Sequence, residues 1–232
     1  MTNTIRFMSW NVHGTFNLHR KFDLAGICAL IDKWSPDVVA LQEIDSRGRS
    51  EDPFARLAAC VGGHHVDARA IVTEDGDYGQ ALLSRFPFAG KPEVIDVSYR
   101  EREPRRAISA SISTGFGEVR VIATHLGLSV HERHAQAKAL ADLIRSDRTV
   151  VLGDFNDWLW VKSVRGVLAA LCPVRTRIRT FPSRLPILRL DRIYASPDAR
   201  MGAAWTDREA RMYSDHLPVI ADIGFRIPSR PE

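Results

Sequence analysis

Short strand patterns alternate with helix patterns from one end of this chain to the other, and strand after strand stops on side chains that bind cations or phosphate. Residues 5–11 alternate apolar and polar groups, as a half-buried strand does. That strand runs into Ser9-Trp10-Asn11-Val12-His13-Gly14. The β-branched run 37–43 ends in Leu41-Gln42-Glu43. Further along, strand patterns end in Ala123-Thr124-His125-Leu126 and Leu152-Gly153-Asp154-Phe155-Asn156-Asp157. Leu190-Asp191-Arg192-Ile193-Tyr194 and Tyr213-Ser214-Asp215-His216-Leu217-Pro218 complete six such clusters. Singly, each is explained by a cap, a turn or a satisfied core histidine. Six in one chain point instead to one shared site, because ligands of α/β sheets gather at one end of the strands.

Helices are expected over 21–34, 52–60, 130–145 and 161–171. The first is broken by Trp34-Ser35-Pro36, since the residue before proline avoids the helical region. The second opens on Asp52-Pro53, an N-cap followed by proline in the first turn. In the third, Ala135, Ala139, Leu140, Leu143 and Ile144 share an apolar face, and His131 and His134 fall on its polar side. Strands are expected over 64–71, 78–84, 93–97, 107–114, 118–125, 149–152, 189–195, 201–205 and 217–225. The hairpin-like middle argues against a purely parallel sheet and for a two-layered or sandwich-like α/β arrangement. With no repeat or compositional break, one domain over 1–226 and a frayed tail over 227–232 is the expectation.

The 232 residues carry 32 basic and 28 acidic groups, for a net charge of +4. Of the basic residues 27 are Arg, which forks two parallel hydrogen bonds onto a phosphate. Arg100, Arg102, Arg105 and Arg106 crowd one segment; Arg175, Arg177, Arg179, Arg184, Arg189 and Arg192 crowd another. A genome biased toward Arg codons explains the count, and a solvated loop is the alternative to phosphate contact for most of the crowded ones. Nothing approaches the roughly 18 apolar residues needed to cross a bilayer, and the start lacks the basic-then-apolar pattern of an export signal. Cys28, Cys60 and Cys172 are odd in number, far apart and without a CxxC pair. Three reduced thiols and a cytoplasmic location are therefore expected.

Glu43, Asp154, Asn156 and Asp215 offer hard oxygens, which suit Mg²⁺ or Mn²⁺ with water and substrate phosphate completing the shell. No Cys cluster or HExxH supports zinc, no GxSxG a serine nucleophile, and no GxxxxGK[ST] a nucleotide-binding P-loop.

In this order, SWNVHG, LQE, ALLSRFP, THL, GDFND, LDRIY and SDHLPV resemble the endonuclease/exonuclease/phosphatase superfamily, from Ser9 to Val219. The resemblance implies a four-layered α/β/β/α sandwich, two mixed sheets packed face to face with helices outside. It implies a metal held by Glu43 directly, with Asn11 and Asp215 on the metal side. Asp154 would orient or deprotonate the attacking water, and Asn156 would hold that water or a phosphate oxygen. His216, paired with Asp191, would stabilise the phosphate or act as base, so the base is Asp154 or His216. His125 would contact the phosphate or assist the leaving group, and Arg106 and Arg184 are candidate phosphate contacts. The 180–183 segment would belong to a substrate-facing loop, with Phe181 stacking on a base, contacting a lipid or packing the loop.

The chain departs from its relatives at three places. His13 stands where the nuclease branch often carries Asp or Asn. Gln80 stands near where pancreatic-type DNases pair a Glu with the THL histidine. Leu190 replaces the Trp that the 5-phosphatases carry before their Asp-Arg. The expected function is Mg²⁺-dependent hydrolysis of a phosphodiester in a lipid head group, a small molecule or a nucleic acid. The alternatives are a DNA or abasic-site endonuclease and a non-catalytic binding protein on the same fold.

Overall fold

The computed structural model describes residues 4–17, 19, 21–145, 147–158 and 164–226. The expected 227–232 tail, and the first three residues of the helix expected over 161–171, lie outside the described residues. The first sheet is built from β1 (Thr4–Asn11), β2 (Val38–Asp45), β3 (His64–Thr73), β4 (Gly76–Ser84), β11 (Ala199–Trp205) and β12 (Val219–Phe225), in the order β11-β12-β1-β2-β4-β3. The second holds β5 (Glu93–Asp96), β6 (Arg106–Thr114), β7 (Gly117–His125), β8 (Thr149–Asp154), β9 (Val174–Arg175) and β10 (Asp191–Ala195), in the order β5-β6-β7-β8-β10-β9. Each sheet has a parallel pair at its centre, β1 with β2 and β7 with β8, and antiparallel neighbours around it.

The period-2 alternation of side chains makes this a four-layered sandwich. Ile5 and Phe7 of β1, Val38 and Ala40 of β2, Val119, Val121 and Ala123 of β7, and Val150 and Leu152 of β8 all point between the sheets. The opposite faces of the same strands pack on helices. Met8, Trp10, Val39 and Leu41 meet α1 (Leu24–Trp34) and α2 (Pro53–Val61). Ile122 and Val151 meet α3 (Val130–Leu143) and α4 (Val164–Leu171). The same parity carries Asn11, His125, Asp154 and Asp191 onto the face between the sheets, at the edge where the apolar stack ends. Each fully buried aliphatic of that stack contributes about 1.5–3 kcal/mol, which anchors a polar edge that would not hold itself together.

The helix signals act as their chemistry requires. Asp23 caps α1 by accepting from the Gly26 amide, and Asp52 caps α2 by accepting from Phe54. Ser129 and Glu132 form a capping box at the start of α3.

The buried face of α3 corrects the expected one. The helix buries Glu132, Arg133, Gln136, Ala137 and Leu140, while Ala135 and Ala139 are only half-buried and Ile144 is the C-cap. His131 and His134 are exposed, as expected. Arg133 donates to the Gly127 and Leu128 carbonyls, and Gln136 accepts from the Gly127 amide at 2.9 Å. Hydrogen bonds to a loop, which a hydropathy pattern does not register, turn this polar face inward. The helix thereby fixes the 126–129 segment that leaves His125.

The cysteines give a second correction. Cys28 of α1 and Cys60 of α2 form a disulfide across 32 residues of sequence, and only Cys172 is free, buried under the second sheet. The sequence distance is irrelevant once both helices pack side by side on one sheet. The expectation of a cytoplasmic location loses the support of three reduced thiols. No helix among the described residues is long and apolar enough to cross a membrane. Reducing the bridge is expected to lower stability by about 2–4 kcal/mol, since closing a loop of this length removes entropy from the unfolded chain. Urea midpoints with and without dithiothreitol, and for Cys28→Ser, measure it; equal midpoints would show that the bridge does not stabilise the fold.

Candidate active site

Asp154, the last residue of β8, is the hub of the site and is almost fully buried. Its Oδ1 accepts from the backbone amide of Asn156 at 2.9 Å. Its Oδ2 accepts from the Asn11 side chain at 3.0 Å and lies 3.7 Å from His125 Nε2 and 3.8 Å from His216 Nε2. Asn11 Nδ2 also donates to Glu43 Oε1 at 2.7 Å, while its Oδ1 accepts from the His13 amide. Asn11 therefore turns its nitrogen to the two carboxylates and clamps them together.

Glu43 reaches the cluster through a break in β2. The pairing of β2 with β4 shifts register between Leu41 and Ile44, and Glu43 takes a left-handed φ of 58°. Asn156 (φ 50°) and His13 (φ 46°) are left-handed as well. Such conformations cost about 1–3 kcal/mol in a non-glycine residue and collect where function requires them. Burial acts to raise the Glu43 pKa, but the His13 and His125 rings and the Asn11 amide hold it down to about 2. Asp215 is half-exposed, and its Oδ1 lies 3.4 Å from His13 Nδ1, which is 3.8 Å from Glu43 Oε2. That Asp215 oxygen is buried and accepts no hydrogen bond among the described residues.

The two histidines are set in opposite charge states. His216 Nδ1 meets Asp191 Oδ2 at 2.8 Å, and both side chains are buried. Burial acts to lower the His216 pKa, but the Asp191 and Asp154 carboxylates together raise it well above the ordinary range. His125 Nδ1 instead faces the Nη1 of Arg105 at 3.1 Å. Burial and the Arg105 charge lower its pKa to about 4. Both ring nitrogens meet donors: Arg105 Nη1 faces Nδ1, and Asn156 Nδ2, which also donates to the Leu126 carbonyl, lies 3.3 Å from Nε2, with Asp154 and Glu43 3.7 and 3.8 Å away. Gln80 donates to the Arg106 carbonyl and does not partner His125.

Replacing Arg105 with Gln is expected to move the His125 pKa upward from about 4 toward its ordinary 6.5. Imidazole NMR titration of the metal-free protein reads the shift, and an unmoved value would exclude Arg105 as its cause. The depressed value also sets a sign for stability. The unfolded chain protonates His125 near 6.5 and the folded one near 4. This contribution is therefore present above pH 6.5 and is lost as pH falls toward 4.

Backbone ties hold the last motif against the first. Trp10 Nε1 donates to the His216 carbonyl at 3.0 Å, Ser214 Oγ donates to the Asn11 carbonyl at 2.7 Å, and the His216 amide donates to Ser214 Oγ. Arg192 does not pair with Asp191. It donates to the Asp157 and Arg189 carbonyls and the Tyr194 hydroxyl, fixing the loop after β8.

The structure thus brings Asn11, Glu43, His125, Asp154, Asn156, Asp191, Asp215 and His216 to one edge. It does not bring the Arg106 guanidinium there, since Asp96 and Ser98 hold it. Arg184 is exposed, next to Ser183, which donates to the Asp215 carbonyl. The sequence reading missed Arg105 as a partner of His125, because nothing marks the one buried Arg among the four in 100–106. It noted His13 only as a departure, although His13 lies between Glu43 and Asp215.

A metal fits this site. Ligand atoms of Glu43, His125 and Asp154 lie within 4.8 Å of one another. The Asp215 oxygen, buried without a hydrogen bond and 3.4 Å from His13 Nδ1, adds a hard donor.

Two packed mixed sheets with an acid–histidine cluster at one edge define a class of phosphoesterases. The pattern of the Endonuclease/Exonuclease/phosphatase family matches residues 8–216, and the chain belongs to that family. Its members are in general metal-dependent hydrolases of phosphoester bonds. The chain is similar to the uncharacterized protein YbhP of Escherichia coli K12, 32% identical over 247 aligned positions that span 95% of this chain and 96% of YbhP. Its fold is similar to that of an endonuclease/exonuclease/phosphatase from Beutenbergia cavernae, with a TM-score of 0.81, 23% identity, and coverage of 96% of this chain and 72% of that one. It is likewise similar to D. rerio TDP2 complexed with single-strand DNA product, with a TM-score of 0.72, 19% identity, and coverage of 95% and 99%.

Proposed function

We propose that this protein hydrolyses a phosphodiester by attack of water, with Mg²⁺ or Mn²⁺ as cofactor. The observation that carries this reading is Asp154: one buried carboxylate faces both imidazoles and shares the Asn11 clamp with Glu43. Glu43 and Asp215 would hold the ion, and Asn11 would hold Glu43. Bound there, a divalent ion supplies charge neutralisation at a phosphoryl oxygen.

The chain's own groups divide the remaining work by their charge. His216, kept protonated beside Asp191, donates to a second phosphoryl oxygen and offsets charge that builds on the phosphate. Because it already carries its proton, the role of orienting and deprotonating water falls to Asp154. Neutral His125, beside Asn156, contacts the phosphate and is not the acid for the leaving group. Asn156 positions the water or a phosphate oxygen from its left-handed turn.

The test is hydrolysis of a soluble activated phosphodiester with Mg²⁺ or Mn²⁺. Activity should vanish with chelator and return with metal. Glu43→Gln is expected to weaken metal binding by calorimetry at least about 10–100-fold, the loss that even an outer partner of a ligand causes. Metal binding unaltered in that variant would remove Glu43 from the site. A DNA or abasic-site endonuclease is the second reading, favoured by the exposed arginines of the 176–190 segment. Nicking of intact and abasic plasmid separates the two.

A further inference from the structure

The 176–190 segment is built as a firm projection beside the site. Thr180 and Phe181 donate backbone amides to the Leu188 carbonyl, and Ile187 and Leu188 donate back to Phe181, closing a hairpin over residues 181–188. The hairpin is fastened to the catalytic edge. The Ser183 amide donates to the Asp215 carbonyl at 2.7 Å, Ser183 Oγ donates to the Ser214 carbonyl at 2.8 Å, and the Phe181 ring lies 4.8 Å from the His216 ring. Phe181 thus packs inward, and the tip is held in place by the same loop that carries Asp215 and His216.

The outward side has an unusual make-up. From 176 to 190 the exposed residues are Arg177, Arg179, Arg184, Leu185, Ile187 and Arg189 alone. Leu185 is 72% exposed and Ile187 59%. No Asp or Glu occurs anywhere from 158 to 190. Two other large apolar groups stand exposed on the loops that leave the site strands. Leu128 follows His125 on β7, and Trp158 follows Asp154 on β8; these strands are parallel neighbours with His125 opposite Asp154. Leu185 and Ile187 stand in water two residues apart on a hydrogen-bonded tip rimmed by arginines, the make-up of an interaction surface.

We propose that this hairpin docks the site onto an anionic lipid bilayer. Leu185 and Ile187 enter the acyl boundary, and Arg177, Arg179, Arg184 and Arg189 meet the headgroup phosphates. The combination selects the partner. Arginine alone suits nucleic acid equally, but single-stranded nucleic acid is gripped by aromatic stacking platforms, and the exposed residues of this hairpin include no aromatic. Docking there would present a membrane phosphodiester to Asp154 without the substrate leaving the bilayer, an extension that rests on the phosphodiesterase reading of the site.

The test reads binding without turnover, in the full chain. Sedimentation with phosphatidylglycerol–phosphatidylcholine vesicles should pull the protein down, and phosphatidylcholine alone should do so less. The Leu185→Ser/Ile187→Ser double variant should melt at the same temperature and bind the anionic vesicles at least about tenfold more weakly. Arg184→Gln/Arg189→Gln should lose the part of the binding that salt screens. The proposal is overturned if the unmodified protein does not sediment with anionic vesicles, or if the aliphatic variant sediments as it does. It is also overturned if that variant loses oligonucleotide binding instead, or if light scattering shows a dimer that only the variant breaks. Hydrolysis of a soluble phosphodiester, measured without vesicles, reports separately on the chemistry, so failure of docking and failure of the phosphodiesterase reading are told apart.

Discussion

Asp154→Asn is expected to lower turnover of a phosphodiester by about ten-thousand-fold, the range set by losing a positioned base together with its electrostatic effect. The substitution keeps the shape of the side chain and its Oδ1, so the Asn156 amide retains its acceptor. What it removes is a negative charge 3.7 Å and 3.8 Å from the two imidazoles and a partner for the Asn11 nitrogen. The His216 pKa should fall as well, since Asp154 is one of the carboxylates that raise it. Steady-state kinetics measure the first effect and imidazole NMR the second. A rate within about tenfold of the unmodified protein would take Asp154 out of the reaction, because a base or water-orienting group contributes at least about a hundredfold. Loss of rate without any movement of His216 would place the effect in the attacking water alone.

Gly153→Ala is expected to abolish folding, or to cost more than about 4 kcal/mol if the protein is recovered. Gly153 has a φ of 154°, and a Cβ there would lie 1.9 Å from the Thr124 carbonyl oxygen of the neighbouring strand. That oxygen belongs to backbone at the centre of the second sheet, where β7 and β8 pair in parallel with Thr124 opposite Gly153. Neither strand has room to yield, because both are packed between the other sheet and the helices. Relief would require a shift in β8, which would carry Asp154 away from Asn11. Soluble yield and the urea midpoint measure it. A midpoint near that of the unmodified protein would show that the strands separate more easily than their packing implies. In a chain whose site hangs on the end of a strand, a backbone contact matters as much as the carboxylate beside it.

Much of the architecture was legible in the sequence because it follows from local periodicity. The strands expected over 5–11, 37–43, 107–114 and 118–125 appear as β1, β2, β6 and β7 within two residues at each end. The helix signals Asp52-Pro53 and Ser35-Pro36 work where they stand. The two-residue β9 carries too short a pattern to be seen. The polar ends of the strands were legible for a related reason. A strand that points Val119, Val121 and Ala123 between the sheets must also point His125 there, so the site's edge follows from counting by two.

What the sequence by itself determined is therefore which segments pair, which faces turn inward, and which polar groups crown the inner face: Asn11, His125, Asp154 and Asp191. Tertiary structure alone decided the rest. It buried His125 and chose Arg105 rather than Gln80 as its neighbour, which together lower its pKa. It joined Cys28 to Cys60, turned the polar side of α3 onto the loop after His125, and aimed Glu43 through a left-handed residue. The physical reason is common to all four. Periodicity acts within a strand or helix, where the backbone fixes side-chain direction over a few residues. Contacts between distant segments depend on how two sheets and their helices pack, and no local pattern encodes that distance.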